Sequence, residues 1–294
     1  MLSSLRSERA LFGNGLVARV LPLDHVHRVV LTFCLKTGSR YESRELGGIS
    51  HFVEHMLFRG TAAFPSAHAL ANAFEDLGGT LVASTAADHG DLAIGVPVEN
   101  LDETIARLRD VVERPLFGGI EIERGITREE ILEDLNEEGE WIEGATLLRR
   151  ASFGDHGLGR PITGTLENIE SFTEADVRAH HARTYVGTGS VVAVAGPVDA
   201  AHVLRQLENA FSHLPRGAAL DDVAPPVDIT HRYQMLRHRG SGQTALHVGF
   251  RSPGETDALE PALEMLLRII DDGMGTRLYH RLWDSSGLCY DAMA

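Results

Sequence analysis

Residues 47–58 of the chain read Gly47-Gly48-Ile49-Ser50-His51-Phe52-Val53-Glu54-His55-Met56-Leu57-Phe58. On an α-helix, His51 and His55 lie about 40° apart around the axis, so both imidazoles can reach one cation. Glu54 lies about 60° to the other side of His51, where a carboxylate can touch a metal-bound water without binding the metal. This spacing predicts a helix with two metal ligands and a general base.

An H-x-x-E-H pattern also occurs by chance, so the alternative of an ordinary helix with two histidines stays open on these residues alone. A tetrahedral catalytic zinc takes three protein ligands and leaves one position open for water. The third ligand must therefore come from another part of the chain. An acidic segment downstream, residues 121–138, contains several candidate carboxylates.

The run from Gly47 to Thr61 resembles the pitrilysin/insulinase family of zinc peptidases, most closely its mitochondrial-processing-peptidase branch. In that family the third ligand is a glutamate in a helix that reads roughly E-R-x-x-x-x-E-E. The matching segment here begins with Glu123 and ends at Glu130, so the resemblance implies Glu130 as the third zinc ligand, and Glu129 is the neighbour that could be confused with it. The implied cofactor is one Zn²⁺ per chain.

Two further acidic residues recur at a spacing of seven from the implied ligand. Glu123, Glu130 and Glu137 would share one face of a helix. We therefore expect Glu123 and Glu137 to hold a ligand imidazole through its second ring nitrogen. The other acids of the segment are expected to form a solvated face.

Composition limits the possible partners. The 294 residues are 43% hydrophobic, which is enough for a large core, and the formal net charge is −15. This charge argues against nucleic acid and anionic membrane surfaces as partners.

Two distant cysteines, Cys34 and Cys289, are expected to be free thiols in a reducing compartment. Residues 1–11 lack the apolar segment of a secretory signal, and the predicted location is the cytoplasm.

The hydrophobic pattern predicts alternating strands and helices. Strands are predicted over 15–21, 29–35, 80–85, 91–98, 191–196 and 243–250. In addition to the histidine-bearing helix and the acidic helix described above, helices are predicted over 66–77, 101–112, 173–185, 200–211 and 260–270. Proline and glycine between residues 216 and 228 indicate a linker. We therefore predict a zinc-binding peptidase domain over 1–215, a linker over 216–228, and the incomplete start of a second, structurally repeated domain over 229–294.

The strand over 80–85 has a functional meaning in the resembling family, whose chains carry Asn-Ala there on an edge strand that pairs with an extended substrate. Here Val82 stands in place of the asparagine and Ala83 follows it. Backbone pairing needs no particular side chain, so Ala83 is a predicted substrate contact. The alternative, in which Val82 is a strand residue that faces the core, is left open.

Near the end of the chain, Tyr290 matches a family tyrosine that grips substrate together with an arginine seven residues earlier. That earlier position is Trp283 here, so the pair is incomplete, and a packed aromatic is the preferred interpretation of Trp283. The resemblance implies an α+β metalloenzyme fold of the pitrilysin (LuxS/processing-peptidase-like) type, with a sheet covered by helices, a complete first domain and a partial second one.

The function that the resemblance implies is a zinc-dependent endopeptidase in which Glu54 is the general base. The alternative is a weakly catalytic or non-catalytic subunit that binds peptide or assembles with a partner supplying the other half of a chamber. Expected partners are a peptide or unfolded segment as substrate, and a second chain in a homodimer or heterodimer; nucleic acid and membranes are not expected.

Overall fold

The computed structural model describes residues 6–226 and 242–294. The chain divides into two compact units, one ending at His247 and the other beginning at Val248. Part of the predicted linker, residues 227–228, and the start of the predicted second domain, residues 229–241, lie outside the described residues. The predicted domain boundaries stay a prediction.

Six strands of the described chain form one mixed sheet in the order β1-β2-β6-β3-β5-β4. Only β2 and β6 run parallel, and the other neighbours are antiparallel. The strands are β1 (Glu8–Leu11), β2 (Val17–Pro22), β3 (Arg28–Leu35), β4 (Val82–Thr85), β5 (Gly90–Pro97) and β6 (Ser190–Gly196). Strand β4 is therefore one edge of the sheet.

Eight α-helices lie among the described residues of the first unit. They are α1 (Ile49–Leu57), α2 (Ala67–Glu75), α3 (Leu101–Glu113), α4 (Ile120–Glu133), α5 (Gly144–Phe153), α6 (Leu166–Ser171), α7 (Glu174–Thr184) and α8 (Ala200–Phe211). Helix α1 contacts β4 and the helices α4 and α7. The histidine-bearing helix is thus wedged between the edge of the sheet and the acidic helix.

The core lies on one face of the sheet. Along β3, the side chains of Val29, Leu31 and Phe33 are fully buried, whereas the intervening Val30 is 46% exposed. This alternation of buried and open side chains is typical of a sheet with helices packed against one face. The predicted α+β arrangement, with a sheet covered by helices, matches this architecture.

A close backbone approach explains the glycine directly before α1. Gly48 has φ +90°, and a Cβ there would lie 2.5 Å from the carbonyl oxygen of Thr163. A side chain at this position would clash with the loop that crosses the start of the helix, besides being strained in the left-handed region. The glycine therefore allows α1 to begin against its neighbour.

The second unit contains α9 (Glu260–Ile270) and α10 (Arg277–Tyr279), which continues into a π-helical segment over His280–Asp284. The predicted helix over 260–270 is confirmed. The predicted strand over 243–250 is wrong, since residues 242–250 form neither helix nor strand. Leu246 and Phe250 are 84% and 89% exposed, so this segment has the apolar composition of a strand but pairs with no strand in residues 6–226 or 242–294.

The first unit also holds elements that the pattern does not predict. Strand β1 lies in a polar stretch, and its pairing with β2 is what makes it a strand. Helix α5 begins at Gly144, where the side chain of Glu143 accepts the backbone N–H groups of Ala145 and Thr146. Both elements depend on local hydrogen bonds more than on hydrophobic periodicity.

Candidate metal centre

Three predicted ligands come together at the contact between α1 and α4. One ligand atom from each of His51, His55 and Glu130 lies within 4.8 Å of the others. The Nε2 atoms of His51 and His55 are 3.8 Å and 3.6 Å from the Glu130 carboxylate. Ligands at about 2.1 Å around a tetrahedral zinc are about 3.4 Å apart, so these separations suit one ion.

The hydrogen bonding of these atoms also fits a metal. Within the described part of the chain, Oε2 of Glu130 and Nδ1 of His51 are buried and have no hydrogen-bond partner. A buried carboxylate oxygen without a donor is costly, and a cation between the three side chains would remove that cost. The neighbouring Glu129 is exposed, so the helix turns Glu130 and not Glu129 toward the histidines.

Glu123 lies beside the second histidine, as predicted from the sequence. Its side chain is only 7% exposed, and its Oε2 is 3.3 Å from Nδ1 of His55. Its other oxygen accepts a hydrogen bond of 3.2 Å from Arg59. A carboxylate on Nδ1 fixes the imidazole so that Nε2 faces the ligand cluster.

Glu137 does not share this position. Helix α4 ends at Glu133, so Glu137 falls in the following turn, where it is exposed. The spacing of seven residues therefore places Glu123 and Glu130 on one face but does not carry on to Glu137. The expectation that Glu137 supports a ligand imidazole is wrong because the helix on which it depends is too short.

Glu54 is held beside the ligands by the edge strand. Thr85, the last residue of β4, donates a hydrogen bond from its hydroxyl to Oε2 of Glu54. Burial raises the pKa of Glu54, an effect that the Thr85 hydrogen bond and His55 oppose. A carboxylate with a raised pKa holds a proton more readily near neutral pH, which suits a general base.

The two histidines differ in electrostatic environment. Burial, assisted by the nearby His55, lowers the pKa of His51 to about 4, so its imidazole is neutral at pH 7. The hydrogen bond to Glu123 raises the pKa of His55, against the opposing effect of burial. A metal ligand must be deprotonated, so His51 is ready to bind, whereas a cation at His55 competes with a proton that this imidazole holds more strongly than an ordinary histidine does.

The edge strand presents backbone groups next to Glu54. The N–H of Ala86 donates to His89, which closes the β4–β5 hairpin, and Ser84 lies opposite Asp91 in the same register. Hydrogen-bonded pairs alternate along an antiparallel ladder, so the N–H and C=O of Ala83 point away from β5 toward the free edge. Val82 is 55% exposed, which rules out the alternative that it faces the core.

Tyr290 and Trp283 belong to the second unit. Tyr290 is 64% exposed, and Trp283 stacks on Tyr279 with ring centroids 5.4 Å apart. The preferred interpretation of Trp283 as a packed aromatic agrees with this stacking. The predicted role of Tyr290 in holding substrate stays a prediction.

Two contributors at the site lie outside the sequence prediction. Thr85 orients Glu54, and Arg59 orients Glu123. Arg59 lies just after α1, inside the run from Gly47 to Thr61. Its place beside the histidine helix was therefore visible in the sequence, although its contact with Glu123 was not. Thr85 had no such signal in the sequence, since only the pairing of β4 with β5 brings it to the helix.

The fold and the ligand set define a candidate mononuclear metal centre on a mixed α+β scaffold. The sequence profile described as Insulinase (Peptidase family M16) matches residues 20–166, and the profile described as Peptidase M16 inactive domain matches residues 171–294. The chain belongs to the M16 peptidase family. The predicted family is therefore confirmed.

Curated relatives of this chain are named uncharacterized zinc proteases. One from Mycobacterium leprae is 33% identical over 261 residues, which cover 86% of this chain and 57% of that protein. Another, from Streptomyces coelicolor, is 31% identical over 294 residues, which cover 95% of this chain and 61% of that protein. The chain spans 57% to 66% of the length of the first such relatives.

Solved structures show the same fold. A protease from Helicobacter pylori aligns with a TM-score of 0.78 at 21% identity, over 98% of this chain and 71% of that one. The M16 inactive domain from Pseudomonas fluorescens aligns with a TM-score of 0.81 at 19% identity, over 97% and 69%. The predicted pitrilysin-type α+β fold is confirmed by these alignments. In the described ranges, no helix is long and apolar enough to cross a bilayer.

Proposed function

We propose that this chain is a zinc-dependent endopeptidase in which His51, His55 and Glu130 hold the metal and Glu54 is the general base. The observation that carries the proposal is the convergence of these three ligand atoms within 4.8 Å, with Glu54 on the same helix. A carboxylate that served only a structural zinc site would have no reason to lie there with a raised pKa.

Zinc in such a site supplies an acidified water and a Lewis acid for a carbonyl. Glu54 is placed to accept a proton from the attacking water and then to deliver it to the leaving amine. Thr85 restricts the rotation of the Glu54 carboxylate during this transfer. Glu123 keeps the His55 ring oriented, so the ligand set holds its geometry as charge develops.

We infer that the substrate is an extended peptide segment that adds a strand to β4. The outward N–H and C=O of Ala83 offer one backbone donor and one acceptor at the free edge. Thr85, at the end of the same strand, donates a hydrogen bond to Glu54. A peptide strand paired with β4 would therefore lie close to the general base. A cytoplasmic location and a homodimeric or heterodimeric assembly remain part of the same proposal.

The proposal is tested by zinc stoichiometry and by hydrolysis of a mixed quenched-fluorescent peptide library. We compare the wild-type chain with Glu54→Gln, and use Glu129→Gln as the matched control because that exposed carboxylate is next to a ligand. One zinc per chain in all three proteins is expected. Cleavage should fall by about two to four orders of magnitude in Glu54→Gln alone, the usual contribution of a general base.

Peptide cleavage that survives intact in Glu54→Gln would refute the role of Glu54. One zinc with no cleavage in any of the three would favour the second candidate, a subunit that binds peptide or assembles with a partner chain. That candidate is supported by the match of residues 171–294 to the inactive-domain profile and by Trp283 at the position of the family arginine.

A further inference from the structure

The first turn of α1 is held by a buried carboxylate from outside the helix. Glu42 is 7% exposed, and its two oxygens accept hydrogen bonds of 2.8 Å each from the backbone N–H groups of Gly48 and Ser50. These N–H groups have no carbonyl partner within a helix. An anion there also interacts favourably with the positive end of the helix dipole. Glu42 therefore caps α1 from six residues upstream.

A second set of contacts reaches the same turn from α7. Nε2 of His180 lies 3.1 Å from the hydroxyl oxygen of Ser50, and Arg183 approaches Nδ1 of His180 at 3.3 Å. Arginine can only donate, so Nδ1 must accept and Nε2 carries the ring proton. His180 therefore donates to the Ser50 hydroxyl, while the backbone N–H of the same Ser50 donates to the Glu42 carboxylate. The relay runs from Arg183 through His180 and Ser50 to Glu42.

This relay ends one residue before the first metal ligand. Ser50 directly precedes His51, whereas His55 lies a full turn further along and is held separately by Glu123. Helix ends fray from the terminal turn inward, so loss of the cap would move His51 more than His55. The position of the His51 imidazole relative to Glu130 therefore depends on whether the first turn of α1 stays helical.

We propose that Glu42, supported by His180 through Ser50, is a positioning residue that sets the His51 ligand of the metal site. The proposal rests on the proposed function only in taking His51 as a zinc ligand. Glu42 touches neither the metal nor substrate in this assignment and acts through the helix.

The test compares Glu42→Gln with Asp199→Ala in the full chain. The Gln amide keeps one acceptor oxygen but turns its NH₂ group toward one of the two backbone donors. Asp199 accepts the N–H of His202 at the start of α8, a helix that carries no ligand, so its removal is a matched loss of a helix cap. We measure zinc affinity, the visible absorption of the Co²⁺-substituted protein and the melting temperature of each variant.

Both variants should melt a few degrees below wild type. Only Glu42→Gln should also bind zinc about tenfold more weakly, the lower end of the effect of a ligand-supporting residue, and should shift the Co²⁺ absorption bands. A Glu42→Gln protein that melts lower but keeps wild-type zinc affinity and Co²⁺ spectrum would overturn the proposal, because its role would then be structural alone.

Should Glu42→Gln fail to fold, Ser50→Ala decides the matter. It keeps the Glu42 carboxylate and the N–H of residue 50 that donates to it, and removes the hydroxyl that accepts from His180 and from the N–H of Gly38. A severalfold weaker zinc affinity with a shifted Co²⁺ spectrum is expected, and wild-type values for both would overturn the proposal. Since zinc binding is measured without a peptide, a chain that binds zinc but cleaves nothing would contradict the proposed function and leave this test intact.

Discussion

Helices α1 and α4 contribute to one site by different means. Six of the nine residues of α1 are buried, and the helix carries two ligands and Glu54. Only three of the fourteen residues of α4 are buried, and it carries the third ligand. On α1 the ligands are neighbours through helical geometry, whereas Glu130 reaches them only because α4 packs against α1. Helix α1 therefore fixes the chemistry of the site, and α4 completes it.

Removal of the α4 ligand tests this comparison most strongly. Glu130→Gln takes away the carboxylate whose Oε2 is buried without a partner, which leaves two histidines as ligands. We expect zinc affinity to fall by more than the roughly 10–100-fold typical of an outer partner. Isothermal titration with zinc measures this, with Glu129→Gln as the control. Equal effects of the two substitutions would mean that α4 supplies no ligand.

The support of the His55 ring gives a smaller effect. Glu123→Gln keeps the shape of the side chain but loses the charge shared between His55 and Arg59. We expect zinc affinity to fall by about 10–100-fold.

Glu137→Gln is the matched control for this substitution, since Glu137 is exposed beyond the end of α4. Its zinc affinity should equal that of the wild-type chain when both are titrated in the same buffer. A comparable loss in Glu137→Gln would restore the original expectation for that residue and contradict the placement given by the structure.

The support of α1 by α7 is tested through stability, and its effect on zinc affinity is expected to be the smallest of these. Burial, with help from Arg183 and His181, lowers the pKa of His180 from 6.5 to about 3. The unfolded chain therefore takes up this proton first as the pH falls. The free energy of unfolding is fully retained above pH 6.5 and declines toward pH 3, by at most about 1.4 kcal/mol per pH unit for this one proton.

Urea unfolding at several pH values checks this dependence. In His180→Gln the slope between pH 6.5 and 3 should be reduced by the contribution of one proton, while the stability at pH 7 also falls because the bond to Ser50 changes. An unchanged slope in His180→Gln would mean that this histidine does not titrate on unfolding.

Much of the fold follows from hydrophobic periodicity. Strands β3, β5 and β6 and helices α3, α8 and α9 lie within one or two residues of their predicted ranges. The failures share a cause. Strand β1 exists because β2 pairs with it, and residues 244–250 have a strand-like composition but join no strand among the described residues. Strand formation depends on a neighbour that is distant in the sequence, so composition alone misjudges it in both directions.

Helical geometry alone brings the α1 residues of the site together, because residues three and four apart on a helix meet whatever surrounds them. It also placed Glu130 and Glu123 together, since they share a face of one helix. Three features came from tertiary packing: α4 ends before Glu137, Thr85 reaches Glu54, and Glu42 caps the helix that carries the histidines. Each of these contacts joins residues of different secondary-structure elements or loops. Neither helical nor strand periodicity predicts such contacts, because only packing brings the two partners within hydrogen-bond distance.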